Sequence, residues 1–430
     1  MSRTGAAHYP FVPGGGGPTI VSAEGSWLVT STGERILDAG GGALVVNIGH
    51  GRPEPAEAAA QALSKLGYVI PPWPTPARIA LRDRLVERWL PEGLTRVGFV
   101  SGGSESTDSA IRLARAHHAA AGRTGRWKVI GRTPSYHGTT IATLAAGHHE
   151  ARRRGFEPAL LEFPHVPWDD AEALDKTIEA EDPDTVAAFI VEPVIGSAGC
   201  CYVPPEGWFS RVAEICRRHG VLLVADEVMT GFGRTGKRFG VEHFGVTPDI
   251  LVGGKGLSGG YAPIGGIYAG EHVLAPLAET GSGFMFFTFG AQDLCCAISD
   301  RVLQVLEDEQ LVERAARQGA VLRQRLEQRL GADPHVSDIR GLGLMQGVEL
   351  VRERDPFTWW PAGVGFAQKV VAEALQRGVW VYPAGSGSAM PDGVMLGPPF
   401  TITDEEIDQT VDVLGDAIKA AAAAAAAAAR

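Results

Sequence analysis

One lysine closes the segment Pro248–Gly256 (PDILVGGKG) and is flanked by glycines. An amine standing alone among small residues, just past an apolar strand, suits a nucleophile of lowered pKa, as Schiff-base formation requires. A solvated loop lysine is the plainer reading. Lys255 is followed by glycine rather than Ser or Thr, so the segment is not a Walker A loop. A second apolar run, Val221–Ala225, ends in Asp226-Glu227-Val228. A carboxylate in that position is costly unless a cation or hydrogen-bond donors face it, which marks Asp226 as functional, with helix capping as the other reading. Val97–Val100 leads into Ser101-Gly102-Gly103-Ser104-Glu105, where small residues let backbone N–H groups approach an anion at a positive helix end. A tight capped turn would look the same. Ser135-Tyr136-His137-Gly138 offers an aromatic that either stacks on a flat ring or packs in the core, and Glu192-Pro193 follows the run Ala187–Val191.

These residues share one feature: each follows an apolar strand. The strands Val97–Val100, Lys128–Gly131, Ala187–Val191, Val221–Ala225 and Ile250–Val252 alternate with helical patterns at Glu105–Ala121, Gly138–Ala146, Gly207–His219 and Asp293–Glu309. Near-continuous apolar strands alternating with helices predict an α/β fold with a mainly parallel sheet covered on both faces. Ligands of such sheets bind outside the carboxyl ends of the strands, where these groups collect. Each signal is weak alone. Together they supply an anion cup, a ring stacker, an acid for a pyridinium nitrogen and an amine nucleophile, the set that pyridoxal 5′-phosphate demands of a protein. Before this region come short strands at Thr19–Val21, Trp27–Thr30 and Arg35–Leu37, a helix from Pro53 to Leu66, a proline-rich connector at Pro71–Pro76 and a helix running to Trp89. After it, Gln310–Leu330 reads as a charged amphipathic helix, and the remainder as a small α+β lobe.

A net charge of −11 argues against a nucleic-acid partner, which would need a basic face, although a local basic patch is compatible with that total. Arg152-Arg153-Arg154 is the only basic run and reads as a solvated turn. The five cysteines, Cys200, Cys201, Cys216, Cys295 and Cys296, lack the spacing of a zinc site or a disulfide framework, so no metal is expected. They read as reduced, buried thiols of a cytoplasmic protein. Met1–Gly17 is polar and glycine-rich, without the apolar core of a signal peptide, and no stretch is apolar over the roughly 18 residues a membrane span needs. The run Ala420–Ala429 extends the last helix.

The chain resembles the class III aminotransferases, pyridoxal-phosphate enzymes of fold type I. The resemblance runs from Gly33-Glu34-Arg35-Ile36-Leu37-Asp38 to Pro398-Pro399-Phe400-Thr401-Ile402-Thr403. It is carried by Ser101–Ala114, Tyr136-His137-Gly138, Val191-Glu192-Pro193, Ala225–Gly236 (ADEVMTGFGRTG), Lys255-Gly256-Leu257 and Arg340-Gly341-Leu342-Gly343. It implies a sheet of the seven-stranded type with helices on both faces, in a large cofactor domain at 70–325. A small domain would be assembled from 1–69 and 326–430. It implies that Lys255 forms the Schiff base and shuttles the proton, while Asp226 keeps the ring nitrogen protonated. Val228 and Tyr136 would flank the ring, Gly103 and Ser104 would hold the phosphate, and His137 and Glu192 would stand close by. Thr288 would reach the phosphate of a neighbouring subunit, in a homodimer or dimer of dimers with shared sites.

The sequence also departs from the family pattern. Members that act on ornithine or 4-aminobutyrate carry a carboxylate-binding arginine where Met395 stands, and its glutamate partner where Ser197 stands. Both charges are absent together, which is consistent because either one left alone and buried would be costly. Amine:pyruvate members use an arginine before a proline; the match here is Tyr382-Pro383. Leu44 replaces a family tryptophan and is expected to widen the pocket, with Trp73, Phe286 and Phe287 as apolar wall. The expected reaction moves an amino group from an amine or ω-amino acid to a 2-oxo acid such as pyruvate. Racemase, epimerase, aminomutase or decarboxylase chemistry is the alternative on the same framework. A non-enzymatic scaffold is disfavoured because Lys255 and Asp226 are both present. A nicotinamide oxidoreductase is disfavoured because no strand leads into GxGxxG.

Overall fold

The structure, a computed structural model, describes residues 17–281, 284, 286–385 and 392–428. Nearly all of the Met1–Gly17 reading lies outside these residues, as does Ala429.

Val186–Val191 (VAAFIV) is buried at every position, and so is Leu222–Asp226. A strand with both faces covered has no solvent side on which to place polar residues, which explains the unbroken apolar runs. These two strands lie near the middle of a seven-stranded sheet. Its order is Leu94–Val100, Gly265–Gly270, Ile250–Gly253, Leu222–Asp226, Val186–Val191, Lys128–Thr133 and His165–Pro167. Pairing is parallel from Ile250–Gly253 through to His165–Pro167. Gly265–Gly270 runs antiparallel to both of its neighbours. Two strands were therefore absent from the sequence expectation. His165–Pro167 is only three residues long, and Gly265–Gly270 (GGIYAG) carries too few branched side chains to read as a strand. Its glycines answer to packing: a Cβ on Gly265 would stand 2.2 Å from Ser106 Oγ and 2.7 Å from the Gly102 carbonyl.

Helices follow the strands as expected, with shifted ends. Gly103–Ala120 starts directly after Leu94–Val100. Trp208–His219 is bounded by Gly207 (φ 77°) and Gly220 (φ 63°), left-handed positions that glycine adopts without a steric penalty. The helix expected from Gly138 begins only at Ile141, leaving Tyr136–Thr140 as an extended loop beside the strand ends.

A four-stranded sheet lies towards the C-terminus, in the order Val336–Leu342, Met345–Leu350, Asp392–Leu396, Tyr382–Ala384. The N-terminal strands Ile20–Glu24, Trp27–Thr30 and Arg35–Asp38 form a second sheet, which Val379–Trp380 joins in parallel with Arg35–Asp38. The two ends of the chain are thus tied together. The helix Leu311–Leu330 runs unbroken through residue 325. The last helix, Asp404–Ala428, takes in most of the alanine run and buries Ala421, Ala422 and Ala425. All five cysteines are free and buried. No helix among the described residues is long and apolar enough to cross a membrane.

Candidate active site

Beyond the carboxyl ends of the parallel strands lies a cavity of about 180 Å³, walled by Gly103, Ser104, Tyr136, His137, Glu192, Asp226, Val228 and Lys255. Every cofactor-site residue expected from the sequence is brought there except Thr288. Within one chain Thr288 is exposed and is not part of this wall. Gly138, Val194, Met229 and Thr230 complete the wall without having been expected. Met229 and Thr230 lie three and four positions beyond the aspartate already singled out, so their place was readable from Asp226 once the strand end was known.

Asp226 is 4% exposed, and each of its carboxylate oxygens has a donor. Oδ1 accepts from the Val228 N–H at 3.1 Å, and Oδ2 from His137 Nδ1 at 2.8 Å. An ionised carboxylate only accepts, so the proton lies on the facing ring nitrogen of His137. The other nitrogen, Nε2, is buried without a partner among the described residues. The sequence reading of Asp226 as a bare helix cap does not describe this arrangement, because the second oxygen reaches a residue 89 positions away.

Lys255 is opposite in character. Its Nζ has no hydrogen-bond or ion-pair partner among the described residues, and its backbone is held at φ 39°, a left-handed angle that strains any residue with a side chain. The flanking Gly254 and Gly256 allow that turn. A Cβ on Gly256 would stand 3.1 Å from Phe232 and 3.2 Å from Asn47. Burial pushes the Lys255 ammonium down to about 8, although Asp226 and Glu192 pull the other way. At pH 7 about a tenth of the amine is then free to act as a carbonyl-attacking nucleophile.

Glu192, 6% exposed, accepts from the Tyr136 and Gly196 N–H groups, both at 3.0 Å. Burial raises its pKa, an effect that His137 opposes. Glu227 faces away from the cavity and takes the Gly240 and Val241 N–H groups, each at 2.8 Å, together with the Thr230 hydroxyl. Burial raises Glu227 to about 7. The anion cup is the start of the Gly103–Ala120 helix. A Cβ on Gly103 would lie 2.6 Å from Val228, and one on Gly138 would lie 2.8 Å from Ser104 Oγ. Only glycine leaves the cup open, and the helix N-terminus supplies unpaired N–H groups and positive potential. An open amine, a buried acid anchored by a histidine, and an anion cup stand around one hollow. These residues fit pyridoxal 5′-phosphate.

The expected substrate-pocket residues are arranged differently. Leu44 and Met395 are 1% and 0% exposed, and they pack together with Val194, Cys200, Cys201, Met345 and Ala384. Tyr382 borders the same cluster. None of the three reaches the cavity wall, because Asp392–Leu396 is an inner strand of the small sheet and turns Met395 into the core. Trp73 and Phe287 line a separate hollow of about 400 Å³ with Pro71, Pro72, Phe284 and Phe286. The arginine run is not a solvated turn either. Arg153 donates to the carbonyls of Leu144, Ala145 and Gly147, and the Arg152 guanidinium carbon lies 4.2 Å from the Tyr136 ring centroid. Only Arg154 is exposed, 3.6 Å from Glu150. Three adjacent arginines on one short helix look alike in sequence; the fold gives each a different neighbour.

The fold and site define a pyridoxal-phosphate-dependent enzyme of fold type I. The chain belongs to the class III aminotransferases, whose family pattern it matches over residues 17–418. It is 36% identical over 414 residues to the uncharacterized aminotransferase YhxA of Bacillus subtilis, covering 92% of this chain and 91% of that protein. It is 31% identical to the putrescine–pyruvate aminotransferase of Pseudomonas aeruginosa, with 92% and 89% covered. Among solved structures it superposes on a thermostable (S)-enantioselective omega-transaminase from Thermomicrobium roseum. There the TM-score is 0.88 at 37% identity, with 96% of this chain and 93% of that chain covered.

Proposed function

We propose that this aminotransferase takes an amino group from an amine or ω-amino acid and delivers it to a 2-oxo acid, pyruvate being the simplest. The observation that carries the reading is the partnerless amine of Lys255 in the same cavity as the His137-anchored Asp226. When bound, pyridoxal phosphate supplies an electron-poor ring that accepts the electron pair left when a proton leaves the carbon bearing the amino group. Lys255 would hold the cofactor through its amine, and that amine, when free, would move the proton at the carbon bearing the amino group. Asp226 would hold a proton at the ring nitrogen, and His137, donating to Oδ2, keeps the carboxylate aimed. The N–H groups at the start of Gly103–Ala120 and the Ser104 hydroxyl bind the phosphate. Tyr136 and Val228, both in the cavity wall, would flank the ring. Glu192, fixed by two backbone N–H groups, stands on the side of Tyr136 and keeps that loop in place.

Both carboxylate clamps described for relatives are absent at the matching positions, Met395 and Tyr382. The wall near Lys255 is apolar at Val194, Val228 and Met229. That supports a donor that presents apolar surface. Two chains would form the working unit: the aromatic side chains Tyr68, Trp73, Phe286 and Phe289 are exposed beside Thr288, a distribution suited to a subunit interface. The cofactor domain is placed at 70–325 and the small domain at 1–69 plus 326–430. The purified enzyme, loaded with pyridoxal phosphate, is expected to lose its yellow colour with a suitable amine and regain it with pyruvate. A yellow enzyme that no amine bleaches, but that exchanges the α-proton of an amino acid, would overturn the reading in favour of racemisation.

A further inference from the structure

The acceptor of the proposed reaction carries a carboxylate, and no cation has yet been assigned to it. The charge of two arginines reaches Lys255, those of Arg152 and Arg234. Arg234 is fully committed: it is 2% exposed and donates to the carbonyls of Val46, Leu344 and Pro398. Its neighbour in space, the Phe400 ring, covers one face of the guanidinium at 4.7 Å. Arg152 is different. Its guanidinium has no hydrogen bond and no carboxylate partner among the described residues, is partly exposed, and rests on the face of Tyr136. Tyr136 is itself part of the cavity wall. In the same run Arg153 is held by three carbonyls and Arg154 lies beside Glu150. His149, which also meets the Tyr136 ring edge-on at 6.1 Å, is buried and held neutral, its pKa lowered to about 4 by burial and by Arg152. It therefore adds no second charge there.

A guanidinium held by a ring face is weakly restrained compared with one in a bidentate ion pair. It also presents its five donors free. Resting on Tyr136, a wall residue of the cavity that holds Lys255, such a group can receive a planar carboxylate without giving up a polar partner. The helix Glu150–Arg153 places it on the side of Tyr136, far along the chain from the small-domain positions where relatives carry their arginine.

Resting on the aminotransferase reading above, we propose that Arg152 binds the carboxylate of the 2-oxo acid acceptor, replacing the clamp missing at Tyr382 and Met395. The enzyme therefore distinguishes acceptors by charge at Arg152 and donors by apolar fit elsewhere.

The test uses the cofactor-loaded enzyme and its Arg152→Gln and Arg152→Lys variants. Two acceptors of similar size are compared, pyruvate and the uncharged propanal. The unreactive carboxylate propanoate is titrated by calorimetry as a readout independent of turnover. R152Q is expected to raise the KM for pyruvate and the Kd for propanoate at least tenfold, while kcat/KM for propanal stays within twofold. R152K, which keeps the charge but not the parallel donors, should fall between. Cofactor affinity and visible spectrum should be unchanged in both. Equal losses with pyruvate and propanal, or propanoate affinity unmoved by R152Q, would overturn the assignment and leave Arg152 as a support for Tyr136. If neither a 2-oxo acid nor propanal restores the colour of amine-bleached wild-type enzyme, the aminotransfer reading fails, and the propanoate titration still decides whether Arg152 binds a carboxylate. If R152Q does not fold, R152K carries the comparison, with unchanged pyruvate and propanoate constants counting against the proposal.

Discussion

Replacing His137 with phenylalanine keeps a flat ring of similar size and removes the donor to Asp226. In the native protein the Asp226 carboxylate has two donors, His137 at 2.8 Å and the Val228 N–H at 3.1 Å, and it is 4% exposed. H137F leaves one. A hydrogen bond to a charged group contributes about 1.5–3 kcal/mol, and the oxygen left unpaired in a buried site adds desolvation on the same side of the ledger. At about 1.4 kcal/mol per factor of ten, the expected loss is about 10- to 150-fold. The loss falls on whatever depends on an ionised Asp226, because a carboxylate short of donors takes up a proton more readily. The proposed role of Asp226 is to keep a proton on the cofactor's ring nitrogen, so the first half-reaction should slow. The assay is single-turnover bleaching of the yellow enzyme by excess amine, followed across pH, with cofactor affinity measured separately by titrating the apoenzyme. H137F should bleach at least tenfold more slowly, and His137→Gln, which can still donate, should recover part of the rate. A bleaching rate within twofold of wild type, with Asp226→Asn strongly impaired, would show that Asp226 needs no help from His137 and refute the reasoning.

Lys255→Ala should bind pyridoxal phosphate without the covalent chromophore and lose at least about a hundredfold in proton transfer, visible as failure of amine to convert the cofactor. Gly103→Ala places a methyl 2.6 Å from Val228, so cofactor affinity should fall tenfold or more while the unfolding midpoint moves little. Glu227, whose ordinary value is 4.5, is raised to about 7 by burial. The unfolded chain then releases this proton at lower pH than the folded one, so the group's contribution is full below pH 4.5 and is lost as pH rises to about 7. The loss is on the order of 3 kcal/mol. Glu227→Gln should flatten that part of the stability–pH profile in denaturant titrations, and an unchanged slope would contradict the assignment. Leu44→Trp should cost about 1–3 kcal/mol in unfolding free energy through overpacking, since Leu44 is 1% exposed and Gly397 sits directly against it.

The site is assembled from residues distant along the chain because parallel strands all point their carboxyl ends the same way. Asp226 and Lys255 end two strands that pair side by side, with Asp226 opposite Val252. Glu192 ends the next strand over, and the loop after Lys128–Thr133 brings in Tyr136 and His137. The cup at Gly103 reaches the same place although Leu94–Val100 lies across the antiparallel Gly265–Gly270. That inserted strand lets a single reversal keep the first strand parallel to the rest.

The sequence by itself marked which residues could do chemistry and where they stand relative to strands. An apolar run such as VAAFIV is legible as an inner strand because both of its faces are buried, and a lysine or aspartate just after such a run is conspicuous because burial makes charge costly. It also read the five cysteines as free thiols rather than a scaffold, as the fold has them. What only the tertiary structure decided were relations between side chains with no local signal. Gly265–Gly270 is a strand because its neighbours approach closer than any Cβ allows, not because its residues prefer extended backbone. Leu44 and Met395 were expected to border the substrate pocket, yet both belong to one buried apolar cluster with Val194, Cys200, Cys201, Met345 and Ala384. Of three identical arginines in a row, only Arg152 came to rest on the aromatic wall, since a short helix turns each toward a different partner. Composition and period report how often a residue is buried; which group it faces is a property of the packed chain.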